Sequence, residues 1–302
     1  MLWILLVVVA ALTVSISAFL DNFITDVTFK KNTPQAAKYF YGFAYLITAL
    51  LIPLFFEINL PSVSNVFLLF LAGAVGSLAS IPYYLALKSE EATSASIFLQ
   101  LTSVLCLVFG WWFLGDKISF LQLAGFFVIL LAPIVVFLFN NKHGRKMDRK
   151  AISLLSLHVI LSAVGNLLFA SSSSEEIFPT CLMIFLLGKA FFDIFASISV
   201  RKWRVRYKNV IKKNGWRAWL PMLLDHIAYI VYEIAYRLAM SIVPVALVSV
   251  STSSIAIVAT FVMGIILTII WPKFGRETLN KKIILAHLIA TILCVVGVFL
   301  MR

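Results

Sequence analysis

LWILLVVVAALTVSISAFLDNFITDV, Leu2 to Val27, decides the fold class. No charge appears from Leu2 to Leu20, and Asp21, Asn22 and Asp26 then follow close together. About twenty apolar residues wound as an α-helix cross the ~30 Å hydrocarbon core of a bilayer. A barrel strand is about ten residues of alternating hydrophobicity. This run neither alternates nor stops at that length, so it reads as a helix. It lacks a basic start and a small-residue cleavage site before its polar end, and is expected to be a retained helix and not a signal peptide.

Runs of the same kind recur along the chain. The apolar pattern predicts spans at 2–27, 36–56, 65–87, 92–114, 119–139, 151–170, 178–200, 218–240, 243–271 and 282–301. Breakers mark the gaps, among them Asn32-Thr33-Pro34, Asn59-Leu60-Pro61 and Gly115-Asp116-Lys117. The 302 residues are 62% hydrophobic and only 13% charged, with a mean hydropathy of +1.02. Soluble domains are about 25% charged, so this chain could not cover a watery surface, and lipid is its solvent. The expected fold is an all-α membrane protein with ten transmembrane helices. A span with its loop takes roughly 30 residues, which leaves no room for a soluble domain.

The charges are placed unevenly. All but four of the 25 lysines and arginines fall in or beside the loops after spans 1, 3, 5, 7 and 9; the four are Lys117, Lys189, Arg237 and Arg302. The positive-inside rule puts those loops in the cytoplasm and both termini outside, in an inner or plasma cell membrane. The net charge of +12 is thereby explained without nucleic acid. Its densest part, Arg201 to Arg217, interleaves basic residues with Trp203, Val205, Tyr207, Ile211 and Trp216. It reads as an interfacial loop drawn to anionic lipid, with a regulatory contact as the other reading.

The basic loop 141–150 divides the chain into residues 1–140 and 151–302, with five spans on each side. An odd number of spans per half inverts one half relative to the other. Gly125 and Ala132 lie seven apart in span 5, as do Ala290 and Gly297 in span 10; Asp116 follows span 4 and Glu277 follows span 9. The stretch from Tyr83 to Val136 is more specific. It contains Tyr83-Tyr84-Leu85-Ala86-Leu87-Lys88, Ala92-Thr93-Ser94-Ala95-Ser96, Phe113-Leu114-Gly115-Asp116-Lys117 and Gln122-Leu123-Ala124-Gly125. This resembles the EamA-type repeat of the drug/metabolite transporter superfamily. The resemblance implies a secondary transporter of ten helices in two inverted five-helix repeats around a central cavity. It implies substrates drawn from amino acids, nucleotide-type metabolites, quaternary amines and drugs. Asp116 stands where the family usually has Glu, and Pro272 to Glu277 is a longer turn than the family's. The family usually keeps both termini in the cytoplasm, opposite to the charge bias.

Ionisable groups inside lipid are costly, roughly 2.5–3.5 kcal/mol each, and face a cavity or a partner. Asp225, Tyr229, Tyr232, Glu233 and Tyr236 recur at helical spacing and share one face of span 8. That polar, aromatic face suits a cationic or amphipathic ligand. The alternative is a helix interface satisfied internally, with Glu233 paired to Arg237 at i, i+4. Lys189 and Asp193 are also i, i+4 and form either a gating pair or a structural one. Tyr84 and Gln100 complete the expected substrate-binding set. Ser77, Ser80, Thr102, Asn166, Ser251 and Thr252 either line a cavity or glue helices. Asp21, Asn22 and Asp26 read first as interfacial caps near Lys30 and Lys31, and second as a cavity mouth. Glu90, Glu91, Glu175 and Glu176 read as plain loop charges. Of His158, His226 and His287, His226 beside Asp225 is the best candidate for coupling to a proton or ion.

Cys106, Cys181 and Cys294 stand singly, and the histidines, His143 included, have no ligand spacing. No metal, no cofactor and no enzymatic activity are expected. The expected function is alternating-access transport of a small amphipathic metabolite, amino-acid-like, amine or drug-like. A channel and a non-transporting scaffold or receptor are the rival readings.

Overall fold

The computed structural model describes residues 2–89, 95, 98–115, 119–142, 148–174, 177–270 and 281–300. Expectations on Glu90, Glu91, Asp116, Lys117, His143, Glu175, Glu176 and the turn 272–277 lie outside the described residues, as do the side chains of His287 and Cys294.

Every element among the described residues is helical. Helix α1 is Leu2–Phe23, wound on as a π-turn to Thr28. A 3-10 turn at Pro34–Ala37 leads into α2, Lys38–Leu51. Next come α3 (Val63–Ala86), α4 (Leu101–Phe109) and α5 (Phe120–Lys142). The second half has α6 (Arg149–Ser172), α7 (Phe178–Ser199), α8 (Arg201–Asn214), α9 (Trp216–Ile242), α10 (Val245–Ile270) and α11 (Lys281–Leu300). Polar caps begin several of them. Ser62 accepts the Asn65 N–H ahead of α3, and Asp148 accepts the Lys150 N–H ahead of α6. Hydroxyls inside the apolar runs bond back to their own helix, as Ser15 does to the Ala11 carbonyl at 2.8 Å.

Among the described residues, six helical stretches are long and apolar enough to cross a membrane: Leu2–Thr28, Pro34–Leu54, α3, α6, α7 and α10. Leu101–Leu114, Phe120–Ala132 and Ile284–Gly297 are apolar but shorter. Helix α9 has 27 residues, but its charged and tyrosine face lowers its hydropathy, and that face is buried. The molecule is turned outside in relative to a soluble protein. Phe191, Phe195, Trp111 and Trp112 are more than half exposed, while Lys38, Lys189, Asp193, Asp225, Glu233 and Arg237 are buried. Such an arrangement is stable where the surroundings are hydrocarbon.

Helix α3 packs on α6 and α7, α1 on α9 and α10, α2 on α7, α4 on α6 and α10, and α5 on α11. The α3–α7 crossing is set by glycine. A Cβ on Gly188 would lie 2.0 Å from the Phe70 carbonyl oxygen, and one on Gly73 would lie 1.9 Å from that of Phe185. Small residues let membrane helices approach this closely. The same logic joins α5 to α11. A Cβ on Gly297 would lie 2.7 Å from the Gly125 carbonyl oxygen, and Ala132 and Ala290 share one buried cluster.

One expectation is corrected. The stretch after span 7 is not a loop but the amphipathic helix α8. Its Val210 is buried, and Trp203, Tyr207 and Ile211 pack on the core. Apolar groups at 203, 207, 210 and 211 fall on one helical face, which is enough to hold a basic segment against the bundle.

Candidate functional site

The buried polar side chains converge on one cavity of about 220 Å3. Helices α1, α2, α3, α4, α6, α7, α9 and α10 all contribute to its wall. Asp225, Tyr229, Tyr232, Glu233, Tyr236, Tyr84, Lys189, Asp193 and Arg237 line it, as do Ser77, Ser80, Thr102, Asn166 and Thr252. Gln100 is buried but not part of the wall. His226 faces α2, where its Nε2 lies 3.0 Å from the Thr48 hydroxyl and its ring meets those of Phe40, Tyr41 and Tyr45.

Of the two i, i+4 pairs the spacing suggested, Glu233–Arg237 forms and Lys189–Asp193 does not. Lys189 does not turn to Asp193. Its ammonium donates to Glu233 Oε1 at 2.6 Å and to the Tyr229 hydroxyl at 3.0 Å. It also lies over the Tyr229 ring, 4.3 Å from the centroid. Arg237 donates to the other Glu233 oxygen at 2.9 Å and to Asn166 Oδ1 at 3.0 Å, with its guanidinium over Phe185. Glu233 is thus held between two cations. Asp193 instead pairs with Lys38 at 2.6 Å and accepts the Ser77 hydroxyl. Lys38 also donates to the Ser77 carbonyl at 2.8 Å. Charges read as loop residues in the sequence are therefore inside the bundle: Lys38 is 1% exposed.

Two carboxylates of the cavity wall form no ion pair among the described residues. Asp225 accepts Ser17 Oγ at 2.6 Å and the Tyr41 hydroxyl. Asp21 accepts the Tyr84 hydroxyl at 2.5 Å, so it belongs to the cavity and is not an interfacial cap. Asp26 pairs with Lys31 at 3.6 Å. Helix α9 sets the polarity of the site. From Asp225 to Arg237 is twelve residues, about 18 Å of helix. Near Asp225 gather Asp21, Asp193 and a single Lys38; further along α9 stand Lys189, Glu233 and Arg237. One end of the cavity has an excess of carboxylate and the other an excess of cation.

The sequence carried a signal for the residues it did not single out. Lys38, Tyr41 and Tyr45 recur at i, i+3, i+7, the same facial pattern that selected α9. Ser17 and Asp21 are i, i+4 on α1.

A sheath of apolar helices around a charged cavity marks a multi-pass α-helical membrane protein. Within that class, residues 1–138 match the model of the EamA-like transporter family, a family of the drug/metabolite transporter superfamily. Curated proteins give no match to the chain. In all, 28 chains of solved structures match it. One, described as "Crystal structure of protein", aligns over 99% of this chain and 94% of its own, with a TM-score of 0.62 and 16% identity. That likeness is one of fold.

Proposed function

We propose that the chain is a secondary carrier that moves a small zwitterionic or cationic metabolite by alternating access. The observation that carries this is the pair Asp21 and Asp225, buried in the cavity with hydroxyl donors and no bound cation among the described residues. A carboxylate taken from water without a counter-charge calls for a cationic partner. A substrate ammonium or a coupling proton supplies it. Lys189 of α7 donates to the hydroxyl of Tyr229, which stands one helical turn along α9 from Asp225, and offers a positive charge to the other end of a zwitterion. Tyr41, Tyr45, Tyr84 and Tyr229 present ring faces to the apolar part. Glu233, saturated by Lys189 and Arg237, acts in this scheme as the anchor of the cationic end and not as a substrate ligand.

The ten-span, inverted-repeat reading rests on packing. Exchange α1–α5 in order with α6, α7, α9, α10 and α11. Contact α1–α9 becomes α6–α3, and α1–α10 becomes α6–α4; α2–α7, α4–α10 and α5–α11 map onto themselves. Contact α3–α7 has its counterpart in α9–α2. Such exchange is what two inverted halves produce, and it sets the substrate site between them.

Counterflow in proteoliposomes against pooled amino acids and amines, read by mass spectrometry, tests the reading. Saturable exchange of one compound, lost in Asp225→Asn and Asp21→Asn, supports it. Unsaturable conductance identifies a channel. Absence of any flux from folded protein identifies a scaffold or receptor.

A further inference from the structure

Helix α8 lies where the chain passes from α7 to α9 and belongs to no part of the cavity wall. Arg201, Lys202, Arg204, Arg206, Lys208, Lys212, Lys213 and the following Arg217 are its charges, and no acid occurs between Asp193 and Asp225. The helix is anchored through Trp203, Tyr207, Val210 and Ile211, which leaves Arg201, Lys202, Lys208, Lys212 and Lys213 exposed. Cations from two other elements join this face. Lys88, in the turn after α3, has its pKa pushed down by partial burial and by the nearness of Lys202 and of Lys150 at the start of α6. Three elements distant in sequence therefore present like charge to one another, an arrangement that costs energy unless an anion lies over it.

One cation of α8 points the other way. Arg206 Nη2 donates to the Phe29 carbonyl at 2.7 Å and Nε to the Asn32 carbonyl at 3.2 Å. These carbonyls belong to the turn between α1 and α2, where Lys30, Lys31 and Thr33 all have positive φ, at 51°, 57° and 58°. Side-chain-bearing residues rarely hold that conformation and need surrounding structure to keep it. The turn joins the helix of Ser17 and Asp21 to the helix of Lys38 and Tyr41.

We propose that the exposed basic face of α8, together with Lys88 and Lys150, is a docking surface for the headgroups of anionic phospholipid, and that Arg206 ties the docked helix to the α1–α2 turn. A membrane surface fits better than a soluble anion. The cations run along 14 residues of helix, about 21 Å; Arg201, Lys202 and Arg206 line a shallow pocket with Asn32 and Thr33, and Lys208, Lys212 and Lys213 lie outside it. Trp216 and Trp219, 68% and 43% exposed, stand where α8 gives way to α9, as aromatic residues do at headgroup level. An anionic leaflet attracts such segments by about 1 kcal/mol per basic residue, roughly fivefold each.

The test compares hydrogen exchange of the full chain in nanodiscs of phosphatidylcholine alone and with about one-third phosphatidylglycerol. It needs no substrate, so it stands or falls apart from the transport reading. Anionic lipid is expected to slow exchange in 201–214 and in 29–33, by about fivefold for each lysine that meets a headgroup. K88Q/K150Q/K202Q, altered only at partly or fully exposed positions, should lose most of that slowing. Arg206→Gln should keep it in 201–214 and lose it in 29–33. Equal exchange in both bilayers overturns the lipid surface. So does an undiminished response in the triple variant, or equal slowing when tripolyphosphate is added to neutral bilayers, which would make the partner a soluble anion. A wild-type response of 29–33 in R206Q overturns the tie.

Discussion

At the level of single residues, Asp225 and Glu233 look alike in the sequence and differ in the structure. They lie two turns apart on α9 and both face the cavity. Glu233 has a cation on each oxygen, whereas Asp225 has only Ser17 and Tyr41. Removing the charge from Glu233 leaves Lys189 and Arg237 buried together without a counterion. Breaking a buried pair in this way costs about 3–5 kcal/mol. Glu233→Gln is therefore expected to lower the thermal midpoint in detergent strongly, whatever it does to transport. Asp225→Asn keeps the shape and an oxygen that accepts Ser17 or Tyr41. Its stability should stay within about 1 kcal/mol of wild type, while flux of a cationic or zwitterionic substrate falls tenfold or more, the loss of one charged hydrogen bond of about 1.5–3 kcal/mol. A stable Asp225→Asn with full flux would remove this carboxylate from the binding site, and a stable Glu233→Gln would show that the two cations find other partners.

Between elements, the informative join is α2 to α7. Lys38 bonds Asp193 and both Ser77 oxygens, so one ammonium holds three helices. Lys38→Met alone should destabilise by about 3–5 kcal/mol, because Asp193 is left buried and unpaired. Lys38→Met with Asp193→Leu should recover most of that loss, since a buried ion pair is often matched by apolar residues of similar size. Thermal midpoints of the two singles and the double close the cycle; additive losses would mean that Lys38 and Asp193 act independently. This pairing also marks how far the sequence can be read. Helix positions follow from runs of apolar residues, and the face of α9 follows from its spacing, because both are local patterns. Lys38 was not legible in the same way. It stands four residues after Pro34 at the start of an apolar run, and nothing local separates a snorkelling lysine from a buried one. The i, i+4 spacing of Lys189 and Asp193 invited an internal pair. Tertiary packing instead brought each a nearer partner from another helix, and in a dry interior the nearer, hydrogen-bonded partner wins. Helix α8 was read as loop because its charge outweighed its sparse apolar face.

For the whole molecule, the charge distribution and the family resemblance predict opposite orientations of the bundle. Lys30, Lys31, Lys88, Lys150 and all of α8 lie at one end of the helices, and the Asn59 N–H donates to the Thr180 hydroxyl at the other. The positive-inside rule places the first end in the cytoplasm, while the EamA-type resemblance argues for the reverse. Single cysteines decide between them. Lys213 is exposed at the end of α8 and Ser62 lies in the connection between α2 and α3, while Cys106 and Cys181 are buried. In whole cells an impermeant thiol reagent should label Ser62→Cys and spare Lys213→Cys, and both should react after the membrane is opened. The opposite pattern would invert the molecule. It would also put α8 on the outer face, away from the anionic cytoplasmic leaflet, and so bear at once on the orientation and on the partner inferred for the basic helix.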